Sequence, residues 1–457
     1  MKTLDLDVEA LGEFASTPAA AIPAQIWDFG RLLLLDSLGA LLGGLRYPAV
    51  HGLGALLGAE AADESAPFGR LTTLGAAATW LDADSGGSFH PAGGRIPPVP
   101  TAHPAPHVLP ALLHALSSQG VDDVDDAAAV RAFVLGCEVG LRFGVGTSLR
   151  PGLHPHGIHG PIGAAVAASA LTGADAPTTA RAIELAGSLP LAATLAVPMQ
   201  GGTVRNVWTG LGSYYGALAA RLAAAGHEAD PGLLATLYGG VVTTDADAEE
   251  IGGGLGHRWR VVDSYLKPYA CARWVHPALD ALREALVRAG SPKPASITEI
   301  VIETFAFAAS LDSLGSESDL HARFSVPRCA ASVVVDGHLD AGGFLPGQFE
   351  RPDVVDLAAK VRLVEVAEYT GALPAERPAR VTVVTADSSG TAQVRNARGN
   401  PSDPLSVDEI VAKFRGNVGP FLPGDVLDPV VQALTTADLL PDGRSLQALA
   451  DAIAHRL

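Results

Sequence analysis

Cysteine is scarce. Cys137, Cys271 and Cys329 are the only three in 457 residues, far apart and with no CxxC pair. That pattern argues against a disulfide framework and a thiolate zinc motif, and it fits a reducing cytoplasm. Positive charge is also in short supply: 31 Lys and Arg face 49 Asp and Glu, a formal net charge of −18. No nucleic-acid partner is expected, because that would need a basic face; a local basic pocket for a small anion remains open. Lysine itself is rare, limited to Lys2, Lys267, Lys293, Lys360 and Lys413. Lys267, set among aromatics and histidine, stands out for that reason. A basic and then apolar leader is missing from "MKTLDLDVEALGEF", so no signal peptide is expected there. The stretch most like a membrane span, "IWDFGRLLLLDSLGALLGGL", carries Asp28, Arg31 and Asp36. Each is expensive in lipid, so a buried helix of a cytoplasmic protein with no membrane partner is expected.

What is plentiful is apolar sequence. At 48% hydrophobic and 18% charged residues, the chain can bury a large core, and its length allows two or three domains. As far as about residue 260 one helical pattern follows another. "FGRLLLLDSLGALLGG" ends in paired glycine, a stop signal. "DDAAAVRAFVLGCEVGLRFGVG" opens on acidic residues that suit a helix dipole. "GPIGAAVAASALTGAD" and "LGSYYGALAARLAAAGH" present Ala, Gly and Ser faces that let helices approach closely. After residue 290, "SITEIVIETF", "AKVRLVEVAEY" and "ARVTVVTAD" read as strands, with "RFSVPRCAASVVVDGHL" and "RPDVVDLAAK" as helices between them. Residues 85–106 and 388–404 read as long loops. The expectation is a mainly α protein: a large helical domain over 1–266, completed by 395–457, and a smaller α+β lid domain over 267–394.

The octet "LHPHGIHG" gathers His154, His156 and His159 ahead of a helix that Pro161 can start. Three readings compete: a metal site, an acid/base site for an anion at the helix start, or a polar turn. Carboxylates are few nearby, which counts against metal, and none is expected. "TWLDADSGG" delivers Asp82 and Asp84 at a helix end, ahead of a loop with His90, Arg95 and His103. Two residues apart on a helix, the carboxylates would point different ways, so at most one should face a shared pocket. Asp84 and Ser85 also fit a plain turn. "SYLKPYACARWVHPALDALREAL" crowds Lys267, Tyr269, Cys271, Arg273 and His276, and burial would lower the Lys267 pKa toward proton transfer. Arg205 precedes a glycine-bearing helix that lacks a nucleotide-loop pattern, and Arg323, Ser325 and Arg328 begin another helix. Cationic groups, imidazoles and aspartates in helix-initiating loops suit a small polycarboxylate losing a proton between its acid groups.

Five segments, in order, resemble the MmgE/PrpD family. "LLLLDSLGALLGG" is similar to its early Asp-Thr/Ser-Leu-Gly helix, and "LDADS…AHPAPHVLPALL" to its L-D-F-D-D…H-P…V-L-P-A segment. "LHPHGIHGPIGAAVAAS" resembles H-P-T-G-T-x-G-x-x-G-A-A-A-A, and "YLKPYACARWVHPALDA" resembles K-P-Y-P-C-C-R-x-x-H-x-x-x-D. "RFSVPRCAASVVVDG" resembles x-F-S-L-P-Y-x-V-A-x-x-L-x-x-G. The resemblance implies a helical domain with an α+β lid, a homodimer, a site between the domains and no organic cofactor. It places Asp82, His103, His154 and Lys267 in the catalytic set, with Arg205, His156, Tyr269, Arg273, Arg323 and Ser325 as substrate-binding residues. The chain departs from the pattern at Ser85, His156, Arg205 and Arg328, changes that reshape the pocket and leave the substrate open. The implied activity is a lyase, a dehydratase or decarboxylase of a di- or tricarboxylate. The alternatives are an epimerase that returns the proton to the other face of the carbon, and a polycarboxylate-binding protein without catalysis.

Overall fold

The computed structural model describes residues 4–59, 67–87, 102–118, 124–314, 318–436 and 443–457. His90 and Arg95 lie outside the described residues. The central helix, Ala24–Gly44, is buried from Leu33 through Gly44 and stops at the paired glycine. It is apolar all round because other helices surround it. The helices Asp126–Val145 and Ala176–Gly187 start where Asp125 and Asp175 accept hydrogen bonds from Ala128 N (2.7 Å) and Thr178 N (2.9 Å). Each cap satisfies an amide that has no partner within its helix.

Small residues set the closest crossings. The helix Pro67–Trp80 meets the helix Val204–Ala224 at Gly75 and Gly210. A Cβ at Gly210 would stand 2.1 Å from Thr72 O, and one at Gly75 would stand 2.5 Å from Gly210 Cα. Only bare backbone fits there. The crossing brings the first turn of Val204–Ala224, and with it Arg205, beside the end of Pro67–Trp80.

The smaller part is α+β. Its four strands lie in the order Val361–Glu365, Ile297–Thr304, Ala379–Thr385, Ser389–Val394, the first pair parallel and the others antiparallel. Ile297, Ile300 and Ile302 alternate with more exposed residues, so one face is buried. The helix His276–Arg288 covers the far edge, where a Cβ on Gly390 would stand 2.3 Å from Ala285 O. The fourth strand corrects the expectation of a loop over 388–404. "SGTAQV" has few β-branched residues, and it is a strand because Ala379–Thr385 offers an open edge to pair with.

After the sheet the chain returns to the helices. Ser406 and Glu409 form a reciprocal cap that starts Val407–Val418. This helix lies on Ala24–Gly44, where a Cβ on Gly39 would meet Phe414 Cα at 3.1 Å. From it Lys413 reaches Asp36 (2.6 Å) and Ala83 O (3.0 Å). The molecule is therefore mainly α with a smaller α+β part. Among the described residues, no helix is long and apolar enough to cross a membrane.

Candidate active site

A two-residue strand, Gly86–Gly87, pairs antiparallel with Ser264–Tyr265. This pairing joins the loop after Pro67–Trp80 to the segment that carries Lys267. Gly86 is fixed by crowding: a Cβ there would stand 2.7 Å from both His103 Cε1 and the Tyr265 hydroxyl.

The helix Pro67–Trp80 has already ended when Asp82 arrives, and Asp82 takes a positive φ of 48°. Such a backbone is uncommon for a residue with a Cβ and marks a built site. Both aspartates reach the same two cations, while of the two only Asp82 lines the cleft. Asp82 Oδ1 accepts from Arg205 Nη2 at 2.5 Å and lies 3.2 Å from Lys267 Nζ. Asp84 Oδ1 is 3.9 Å from both cations. Arg205 also donates to Thr79 O and Asn206 Oδ1, and Lys267 donates to Asp82 O at 2.8 Å. Two cations and two carboxylates thus form one buried, neutral cluster. Burial alone would lower the Lys267 ammonium, but Asp82 and then Asp84 outweigh it and raise its pKa. Lys267 is therefore a fixed charge, not the proton-transfer group that burial alone suggested. Burial would raise the Asp84 carboxyl, yet Lys267, the His103 hydrogen bond and Arg205 hold it well below the usual range.

The histidines take distinct roles from their partners. His103 Nδ1 faces two acceptors, Asp84 Oδ2 at 2.8 Å and Ser85 O at 2.9 Å, so Nδ1 carries a proton. His154 is the reverse: its Nδ1 accepts from His156 N at 3.2 Å, which puts the proton on Nε2. His156 lies between them, with ring centroids 4.8 Å from His103 and 4.7 Å from His154. It donates from Nδ1 to Thr209 Oγ1 at 2.8 Å and turns Nε2 toward Arg205 Nη2 at 3.5 Å. Burial, followed by the Arg205 charge, holds His154 and His156 well below the ordinary histidine pKa, so both are neutral.

His107 and His159 complete the core. His107 Nδ1 donates to His103 O at 2.9 Å, and its Nε2 accepts from Gly157 N at 3.0 Å. Its ring fills the space in front of the helix Gly160–Leu171, where a Cβ on Gly160 would meet it at 2.2 Å. That helix start is closed by a side chain and is not open to an anion. His159 Nε2 bonds Thr147 Oγ1 at 3.0 Å, and the ring packs near Tyr238. Burial holds His107 at about 4 and His159 at about 3.

One cleft of about 650 Å³, including its mouth, is lined by Asp82, His103, His154, His156, Arg205, Lys267 and Arg273. Tyr269, Arg323 and Ser325 stand elsewhere. The Tyr269 hydroxyl donates to Asp280 Oδ1 at 2.7 Å on the opposite side of the segment. Arg323, wholly buried, donates to Leu81 O, Ala270 O and the Tyr47 hydroxyl and holds loops together. Ser325 caps the helix Val326–Asp336 by accepting from Arg328 N. Sequence reasoning missed Asp84, which joins the charged cluster behind the cleft, and it missed Tyr265 and Trp274, which line the cleft. Tyr265 had a signal: it lies two residues before Lys267 in an extended segment, and so shares its face.

Asp84, His103 and His156 bring three possible metal-ligand atoms within 4.8 Å of one another. Arg205 and Lys267 already stand 3.9 Å from Asp84, and Arg205 also faces His156. Two fixed cations beside the same carboxylate repel a third, so the group does not suit a metal ion.

Two family models match the chain: the MmgE/PrpD N-terminal domain over residues 9–249 and the MmgE/PrpD C-terminal domain over residues 269–432. A cis-aconitate decarboxylase of Aspergillus terreus (strain NIH 2624 / FGSC A1156) is 26% identical over 369 residues, covering 74% of this chain and 74% of that protein. A second cis-aconitate decarboxylase of Aspergillus terreus is 26% identical over 343 residues, covering 69% of each chain. Neither relative is an isomerase, so the epimerase alternative gains no support.

Proposed function

The chain belongs to the MmgE/PrpD family, and from that premise we propose that it is a lyase, a dehydratase or decarboxylase of a small carboxylic acid with more than one acid group. The observation that carries the reading is the opposite setting of two Nδ1 atoms on one cleft: His103 Nδ1 faces acceptors, and His154 Nδ1 accepts from His156 N. His103 Nε2 is the base and takes the proton alpha to a carboxylate. His154 Nε2–H is a neutral hydrogen-bond donor to the leaving group.

In dehydration, the C–H electron pair forms the new double bond as the hydroxyl leaves from the adjacent carbon. His154 Nε2–H donates a hydrogen bond to that hydroxyl, and the proton taken by His103 leaves with it, so water departs and both rings end neutral. In decarboxylation the C–C bond to a carboxylate breaks instead, CO₂ leaves, and the electron pair left on carbon takes a proton from solvent by way of His103. Negative charge collects on the remaining carboxylate in either case. Lys267 and Arg205, both buried, hold positive charge beside it. Asp82 and Asp84 keep both cations ionised and in place before substrate arrives.

The test is incubation with citrate, methylcitrate, cis-aconitate and aspartate-derived diacids in D₂O. Absorbance of an unsaturated acid, CO₂ release and deuterium uptake are followed together. An unsaturated product or CO₂ supports the lyase. Deuterium uptake without net product would instead mark an isomerase. Binding with none of the three would leave a polycarboxylate-binding protein.

A further inference from the structure

Charge in the cleft is already balanced at its polar end. Arg205 and Lys267 face Asp82 at 2.5 and 3.2 Å and Asp84 at 3.9 Å, and the histidines around them include two that burial holds neutral. Arg273 differs. It is 6% exposed, and its partners are all uncharged: His276 Nδ1 at 3.1 Å, Arg398 O at 3.0 Å and Asn400 Oδ1 at 2.7 Å. The Tyr265 ring lies beneath it, 4.7 Å from the guanidinium carbon. Among the described residues no carboxylate stands within ion-pair distance of it. Asp280, the nearest acid to influence it, is engaged by the Tyr269 hydroxyl and Arg398 N. Arg377, stacked on Trp274 at 4.6 Å, adds like charge nearby. A buried cation with only dipoles around it is a receptor for one anion.

The rest of the cleft wall is apolar. Leu195, Pro198, Met199, Trp274, Phe307 and Phe324 line it, with the Trp274 and Phe307 rings 4.5 Å apart. A second or third free carboxylate placed there would lose its water and meet hydrocarbon.

We infer, resting on the lyase reading above, that the preferred substrate is a dicarboxylate bearing a hydrocarbon substituent larger than methyl. One carboxylate sits on Arg273, the reacting one lies near Lys267, and the substituent packs on the Leu195–Met199 and Trp274–Phe307 wall. Fully ionised tricarboxylates are disfavoured, because one uncompensated cation cannot hold three charges.

The test uses malates substituted at carbon 2 with methyl, propyl or benzyl groups, beside citrate and cis-aconitate. Affinity is read by calorimetry on the intact protein, and turnover by the assays above. Each added methylene is expected to tighten binding about three- to fourfold. The benzyl compound is expected to bind more tightly than either tricarboxylate, and Phe307→Ala to lose that advantage. Arg273→Gln is expected to weaken every ligand at least tenfold, with a circular dichroism spectrum like wild type. Citrate or cis-aconitate binding as tightly as the benzyl compound would overturn the inference, whatever the turnover. The predicted affinity order without any lyase product would instead overturn the lyase reading and leave this one standing.

Discussion

Asp84 accepts the Nδ1 proton of His103 at 2.8 Å, across 19 positions of sequence. The bond keeps a proton on Nδ1 and turns Nε2 the other way, beside a carboxylate that Lys267 keeps ionised. Asp84→Asn removes the acceptor charge and lets the ring carry its proton on the wrong nitrogen. Its kcat is expected to fall about 10²- to 10⁴-fold with KM little changed, and His103→Gln to fall at least as far. Wild-type proton exchange in His103→Gln would remove His103 from the role of base.

His154→Ala is expected to leave the far-ultraviolet circular dichroism unchanged and to abolish turnover. The ring lines the cleft, and the bond lost is one 3.2 Å contact from His156 N, a small share of the local structure. A variant that turns over at the wild-type rate would end its assignment as the hydrogen-bond donor to the leaving group.

Asp82→Ala leaves Arg205 and Lys267 facing each other in the interior. Breaking a buried ion pair on one side costs about 3–5 kcal/mol, and that loss should appear as a lower urea midpoint. Removing one cation as well, in Asp82→Ala/Lys267→Met, is expected to recover much of the loss. A double variant less stable than the single one would show that the cluster is not held by charge balance.

Stability should fall in mild acid. His107 is held at about 4 and His159 at about 3, below the ordinary 6.5, so the unfolded chain binds protons that the folded one refuses. The folded state keeps its full advantage above pH about 6.5 and loses up to roughly 1.4 kcal/mol per unit and per histidine as pH falls toward about 4. Denaturant midpoints measured from pH 7.5 to 4.5 read the slope. His107→Phe should flatten it, and an unchanged slope would count against a buried neutral His107.

Much of the architecture could be read along the chain. Stretches such as "GPIGAAVAASAL" are too small and apolar to be anything but central helices, and the β-branched run "ITEIVIET" marks a strand by alternation. The strand Ser389–Val394 could not be read, because its pairing edge supplies what its composition lacks. At the site, the clustered His and the isolated Lys267 pointed to the cleft. Asp84 did not, since its reach depends on the helix stopping at Trp80 and on the turned backbone of Asp82. Tyr269, Arg323 and Ser325 sit in the same motifs as cleft residues yet face away. Sequence proximity places a residue near a site, and backbone direction decides whether it enters.

The contacts of Lys413 with Asp36 and Ala83 O span 377 and 330 residues. Asp36 lies in the first long helix, and Ala83 sits between the two aspartates of the cleft. On the ribosome, the loop bearing those aspartates therefore emerges long before the lysine that steadies it. Until synthesis passes residue 413 the nascent chain lacks this brace between its first long helix and the loop of the two aspartates.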